Sequence, residues 1–327
     1  MFPSRRRRGE VSWLMRFGSL LDAIGNTPLV ELRRLSPKAG VRLFAKLEGQ
    51  NPSGSLKDRI ALYMIRAAEE SGELTPDKTI IEPTSGNTGL SLAMIARIKG
   101  YRLLCVLPDN VTPERVQLLR AFGAAVVFAQ GARSTNDAVF LAQRMLAEDP
   151  DRYYMPYQYG NANNPRAHYE TTAAEIIRDL AEVDLFIAGL GTGGTLTGVG
   201  RRLKEHSRKV KIIAAVPHPD DLVPGLRSLD EGFIPPVLDE SVLDGRIVVD
   251  SRASFGAAKE LMEREGIFAG VSAGAVLHTA RKVASRLQKA NIVCLLADGG
   301  WKYLSTELWT KGHGKLAPED VQGKVWW

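Results

Sequence analysis

Lys78 to Lys99 reads K-T-I-I-E-P-T-S-G-N-T-G-L-S-L-A-M-I-A-R-I-K. A short β-branched run, Thr79 to Glu82, is followed by small and polar residues, Thr84 to Gly89, and then by apolar residues at helical spacing to about Lys99. The same order recurs downstream. A strand is predicted over Leu103 to Leu107, a helix over Pro113 to Phe122, a strand over Ala124 to Phe128 and a helix over Thr135 to Leu146. Pro113 suits a first helical turn, and Gly100 and Gly123 suit positions just past helix ends. Strands alternating with helices of this length make βαβ units and a parallel sheet.

A second series begins after the turn-rich stretch Tyr157 to Pro165. It predicts a helix over Thr172 to Leu180, a strand over Leu185 to Ala188, the junction G-L-G-T-G-G-T ending at Thr195, a helix through Glu205 and a strand over Val210 to Ala215. Beyond the less regular Val216 to Asp244 come a strand over Arg246 to Val249, helices over Ser254 to Glu265 and Ala275 to Gln288, and a strand over Asn291 to Ala297. The chain therefore reads as two three-layer α/β units with mainly parallel sheets, meeting near residue 160.

Upstream, Gly25 to Pro28 is a turn signal, and Val41 to Glu48 alternates as a half-buried strand would. Next comes N-P-S-G-S-L-K-D-R, Asn51 to Arg59. Ser55 is placed to cap a helix whose first turn holds Lys57. A cation there opposes the helix dipole, so the lysine stands where local electrostatics do not favour it.

Bulk properties narrow the function. Of a formal net charge of +6, most lies in the first 16 residues, which hold five arginines against one glutamate, so the body offers no nucleic-acid-binding charge. Residues 1–14 read as a disordered basic extension, or as a stretch upstream of a true start at Met15. No apolar run approaches the roughly 18 to 20 residues of a membrane span. Cys105 and Cys294 lie inside apolar runs as reduced core cysteines, which fits a cytoplasmic compartment. The five histidines lack metal-ligand spacing, so no metal is expected.

Three strand-to-helix junctions carry small polar residues: Thr84 to Gly89, Gly191 to Thr195 and Gly270 to Ala275. Ligands of parallel sheets bind beyond the carboxyl ends of the strands, where such junctions lie. Gly191, Thr192, Gly193, Gly194 and Thr195 lead into a helix whose free N–H groups suit a phosphate, yet no Walker lysine follows and the dinucleotide pattern is only loose. A phosphate cradle, a placed lysine and no metal ligands together suggest a phosphorylated carbonyl cofactor bonded to the lysine amine, pyridoxal 5′-phosphate.

With G-N-T-P-L-V (Gly25 to Val30), N-P-S-G-S-L-K-D-R, P-T-S-G-N-T-G (Pro83 to Gly89), Q-Y-G-N-A-N-N-P (Gln158 to Pro165), G-T-G-G-T, G-V-S-A-G-A and Y-L-S-T (Tyr303 to Thr306), the chain resembles the cysteine synthase family. These are O-acetylserine or O-phosphoserine sulfhydrylases of the tryptophan-synthase-β-like pyridoxal-phosphate fold. The resemblance implies a larger cofactor domain, 15–52 with 161–327, and a smaller mobile domain, 53–160. It implies that Lys57 bonds the cofactor and moves the substrate's α-proton, and that Asn87 meets the ring hydroxyl. Gly191 to Thr195 would hold the phosphate and Ser272 would face the ring nitrogen. Thr84, Ser85, Gly86, Thr88 and Gln158 would hold the substrate carboxylate. A neutral hydroxyl at the ring nitrogen makes a weaker electron sink than a carboxylate would, which suits β-elimination to an α-aminoacrylate and addition of a sulfur nucleophile.

The implied reaction is β-replacement on an O-activated serine to give L-cysteine, by a homodimer. Sulfide, thiosulfate and a carrier-protein thiocarboxylate all remain open as sulfur source. Arg227, in L-R-S-L-D-E-G-F, resembles an arginine that meets the substrate phosphate in the O-phosphoserine-preferring branch, the other reading being a solvated loop arginine. Cystathionine β-synthase-like condensation of serine with homocysteine and a non-catalytic interaction protein are the alternatives. The terminal Trp326 and Trp327 are expected to dock, either over the cleft or in a dimer interface.

Overall fold

The computed structural model describes residues 16–84, 86–108, 111, 113–129, 135–221, 223–306 and 309. The arginine-rich extension, Ser85 and the terminal tryptophans lie outside the described residues.

In chain order the elements are β1 (Leu29–Glu31), β2 (Val41–Leu47), α1 (Lys57–Ser71), β3 (Thr79–Pro83), α2 (Asn87–Lys99), β4 (Arg102–Pro108), α3 (Pro113–Ala121), β5 (Ala125–Ala129), α4 (Thr135–Glu148) and β6 (Tyr153–Tyr154). Then α5 (Asn163–Ala167) runs through one wide π-helical turn, His168–Thr172, into α6 (Ala173–Asp179). The remainder is β7 (Leu185–Gly189), α7 (Gly194–His206), β8 (Lys211–Pro217), β9 (Gly245–Val249), α8 (Ser251–Glu265), α9 (Val271–Ala284) and β10 (Ala290–Leu296).

The strands form two sheets, a six-stranded one in the order β1-β2-β10-β7-β8-β9 and a four-stranded one in the order β5-β4-β3-β6. Every pairing is parallel except β1 with β2. Helices cover both faces of each sheet, as parallel sheets require. On the larger sheet, Leu43, Ile187 and Cys294 pack with Leu261 and Leu277 of α8 and α9, while Phe186, Val293 and Leu295 pack with Ile176, Leu196 and Val199 of α6 and α7. On the smaller sheet, Ile80, Leu103 and Cys105 face α1, α2 and α3, and Ile81, Leu104 and Val106 face Ala138 and Ala142 of α4. This is the tryptophan-synthase-β-like arrangement.

Several local expectations shift. Strand β2 is not half in water: Leu43, Phe44, Ala45 and Lys46 are all buried, because both faces of this sheet are covered, Leu43 and Ala45 packing with α8 and α9 and Phe44 with α6 and α7. Leu56, not Ser55, is the residue before the first turn of α1, although the Ser55 hydroxyl still accepts from the Lys57 N–H at 3.3 Å. Helix α8 starts at Ser251, where Asp250 caps it by accepting from the Ala253 N–H, three residues earlier than periodicity alone predicts. Helix α9 starts at Val271 and ends at Ala284, so Ser272 belongs to a first helical turn and not to a loop. The extended conformation of Gly270 sets that start, and a side chain on it would run into Asp298.

Candidate active site

Lys57, first residue of α1, reaches a cavity at the carboxyl ends of both sheets. Burial, with help from the ammonium of Lys302, brings its amine down to about 8, while Asp298 pulls the other way. An amine so shifted is partly neutral near physiological pH, the state a lysine needs to attack a carbonyl.

Asp298, just past β10, organises this corner. Its Oδ2 accepts from Asn87 Nδ2 at 2.7 Å and from the Tyr303 hydroxyl at 2.7 Å. Asn87 opens α2, and its Oδ1 accepts from Lys302 Nζ at 2.7 Å. These partners fix which way the Asn87 amide faces. Asp298 Oδ1 is buried with no hydrogen-bond partner among the described residues. A buried carboxylate oxygen left so is costly and marks a place for a donor.

The loop between β7 and α7 turns at Gly193, φ +85°, and enters a helix whose first N–H groups have no carbonyl partner within it. Asn164 of α5 lies behind it, fully buried, donating through Nδ2 to the Thr192 hydroxyl at 3.0 Å and to the Gln158 carbonyl at 2.8 Å. His168 Nε2 pairs with the Thr195 hydroxyl at 3.1 Å and His168 Nδ1 with Thr172 at 3.0 Å. Burial pushes this imidazole down to about 3, so it is neutral. Gly194 packs directly on Asn164, and a Cβ there would overlap the Asn164 amide. Gly194→Ala is therefore expected to displace Asn164, lowering stability by about 1–3 kcal/mol, measured as a drop in melting temperature.

Thr88 and Gln158 are both buried and line the cavity, the Thr88 hydroxyl donating to Gln158 Oε1 at 2.7 Å. Thr84 is turned to its own junction, accepting from the Gly86 N–H at 3.3 Å, and Gly86 is the residue before α2. Ser272 lines the cavity opposite Gly225, whose φ is +84° and where a Cβ would come to 3.5 Å from the Ser272 hydroxyl. Gly191 and Thr192 also line it, while Gly193, Gly194 and Thr195 stand behind them. Arg227 is no solvated loop arginine: it is 6% exposed, with Tyr159 at 5.4 Å and Phe233 at 4.9 Å from its guanidinium carbon to the ring centroids.

A reactive lysine, a helix N-terminus behind a glycine turn, and an orphaned carboxylate oxygen suit a phosphorylated pyridine aldehyde. The family model described as pyridoxal-phosphate dependent enzyme matches residues 20–298. The chain is 43% identical over 301 residues to a probable cysteine synthase of Bacillus subtilis, covering 88% of this chain and 96% of that one. The chain belongs to the cysteine synthase family of pyridoxal-phosphate dependent enzymes. It is also 38% identical to cystathionine β-synthase of Apis mellifera, over 99% of this chain and 68% of that one. Among solved structures, O-ureido-L-serine synthase superposes with a TM-score of 0.85 at 37% identity, covering 94% of this chain and 99% of that one. Pyridoxal 5′-phosphate is the cofactor of this family, and this member's residues fit it.

Asp298, Asn164, Lys302 and Arg115, which also lines the cavity, escape a reading by motif. The position of Asp298 directly after a parallel strand was a usable signal, since that end of the sheet is where ligands bind. Asn164 is within a quoted motif, but nothing in its spacing distinguishes it from Asn161 or Asn163.

Proposed function

We propose that this cysteine synthase family member makes L-cysteine by β-replacement on an O-activated serine, with O-phosphoserine as preferred donor. The observation that carries the donor preference is Arg227. A guanidinium buried against two touching aromatic rings, hydrogen-bonded to the Tyr159 hydroxyl but with no ion-pair partner among the described residues, keeps a charge that is poorly compensated unless an anion comes to it. A phosphate dianion matches its fork of donors, and an acetyl ester does not.

The bound cofactor supplies an electron sink that acidifies the substrate's α-carbon. Lys57 carries that proton, because its amine is held near neutrality by burial. Thr88 and Gln158, joined by a hydrogen bond, take the amino acid's carboxylate, and Ser85 belongs to the same junction in this reading. Ser272, a neutral partner for the ring nitrogen, keeps the sink weak and favours loss of the β-substituent. The smaller unit, 53–160, moves against 15–52 with 161–327 to shut out water. The same reading makes the enzyme a cytoplasmic homodimer, with a sulfide, thiosulfate or carrier-bound thiocarboxylate acceptor.

Arg227→Ala is expected to raise KM for O-phosphoserine about 100-fold, the size of a lost charged hydrogen bond with its ion pair, and to change KM for O-acetylserine less than threefold. Steady-state kinetics with both donors test this. Equal kinetics of variant and wild type on O-phosphoserine would remove the donor assignment.

A further inference from the structure

Glu82 is the last residue but one of strand β3, two residues before Thr84, and is 1% exposed. Among the described residues its neighbours offer no cation. In the sheet it lies beside Cys105 of β4, and the other titratable groups facing it are Tyr154 of β6 and Tyr157 and Tyr159 of the following loop. No ion pair among the described residues includes it. Both its oxygens go to one turn: Oε2 accepts from the Tyr157 N–H at 3.0 Å and Oε1 from the Gln158 N–H at 3.3 Å.

A buried carboxylate without a cation is costly, and an apolar residue would serve the core better. What it provides is two acceptors and no donor, in charge-assisted bonds roughly twice as strong as neutral ones. The turn it holds needs that strength. Tyr157 has φ +51°, in the left-handed region that bulky residues avoid. Gln158 follows, accepting from Thr88 through its side chain and from Asn164 through its carbonyl. Glu82 is thus the root of a chain of bonds that runs to Thr88 on α2 and, through Asn164, to Thr192 of the glycine loop.

We propose that Glu82 is a positioning residue whose carboxylate fixes the Tyr157–Gln158 turn and thereby aims Gln158 at the carboxylate of the amino-acid substrate. This rests on the reading of Gln158 as a substrate-carboxylate ligand. Burial raises the Glu82 carboxyl to about 7, the two N–H bonds opposing it. Above that pH the carboxylate holds both N–H groups. As pH falls through it, one oxygen takes a proton, the turn loses an acceptor, and substrate affinity falls with it.

The test uses holoenzyme selectively ¹⁵N-labelled at Tyr and Gln, wild type and Glu82→Gln, between pH 5.5 and 8.5. In wild type the Tyr157 and Gln158 amide resonances are expected to titrate together with a midpoint near 7. KM for the accepted O-activated serine should fall about tenfold from pH 6 to pH 8, the size of one neutral hydrogen bond, with kcat changing less than twofold. In Glu82→Gln the two resonances are not expected to titrate, and KM stays high and follows only the substrate's own ionisation. Wild-type amides that do not titrate, or a variant KM profile parallel to wild type, overturn the proposal. If neither protein turns over any O-activated serine, the assigned reaction fails, while the amide titration, which needs no substrate and no variant, still decides the role of Glu82.

Discussion

Replacing Lys57 by alanine is expected to reduce kcat by on the order of 10³-fold or more, the contribution of a covalent amine and a positioned proton carrier combined. Lys57 stands at the start of α1 with its amine brought to about 8 by burial and by Lys302. The sign of that shift gives a second expectation. A lysine whose folded pKa is lowered is neutral over a wider range, so the rate at which apo-protein captures pyridoxal phosphate should climb as pH rises toward 8 and level off beyond it. An unshifted lysine would keep climbing toward about 10.4. Stopped-flow absorbance of reconstitution measures this, and purified Lys57→Ala should lack the visible band of a lysine-bound cofactor. A variant that keeps that band and turns over at the wild-type rate would remove Lys57 from the centre of the site.

Arg59→Met is expected to lower stability by about 3–5 kcal/mol, the cost of breaking a buried ion pair from one side. Arg59 is 1% exposed, two residues beyond Lys57. It donates to Glu48 at 2.7 and 2.8 Å, to Glu175 at 2.6 and 2.8 Å and to the Thr27 hydroxyl at 3.1 Å. Lys46 completes the set, reaching Glu175 at 2.7 Å. The two carboxylates also hold the G-N-T-P turn, through the Asn26 N–H and the Thr27 hydroxyl. Without Arg59, two buried carboxylates share one lysine. The melting midpoint should fall by roughly 6 °C, given an unfolding entropy of about 2.1 cal/mol/K per residue and hence about 1.5 °C per kcal/mol for a chain of this length, and a fall of under 2 °C would show the network to be dispensable. Acid should act on the same group. Glu175, held at about 2 by its cations against the opposing effect of burial, contributes stability that is full above about 4.5 and is lost as pH falls toward 2. Glu175→Gln should flatten that limb of an acid-unfolding curve.

The local grammar of the chain carried the architecture well. Strand, glycine-rich junction and helix succeed one another because β-branched runs, small flexible residues and amphipathic spacing each act within a few residues. Element ends were less legible: Ser272 read as a loop residue because nothing local announces that Gly270 begins a helix by packing against Asp298. The burial of Lys46 and Arg59 was also invisible, since a charged residue in a strand or helix reads as solvent-facing until its partners are known.

Local sequence singles out Lys57 and the Thr84–Gly89, Gly191–Thr195 and Gly270–Ala275 junctions, because ligands of parallel sheets bind where a strand gives way to a helix, and the family resemblance adds the role of Ser272. How they meet is set by contacts between distant parts of the chain. Strand β2 pairs with β10 from the far end of the chain, and that register sets the loop leading into Lys57 beside Asp298. Glu82 reaches Gln158, and Arg227 packs against Tyr159 and Phe233, by contacts of the same long-range kind. Such pairings follow from which apolar faces bury one another across the whole fold, a collective choice that no window of sequence contains.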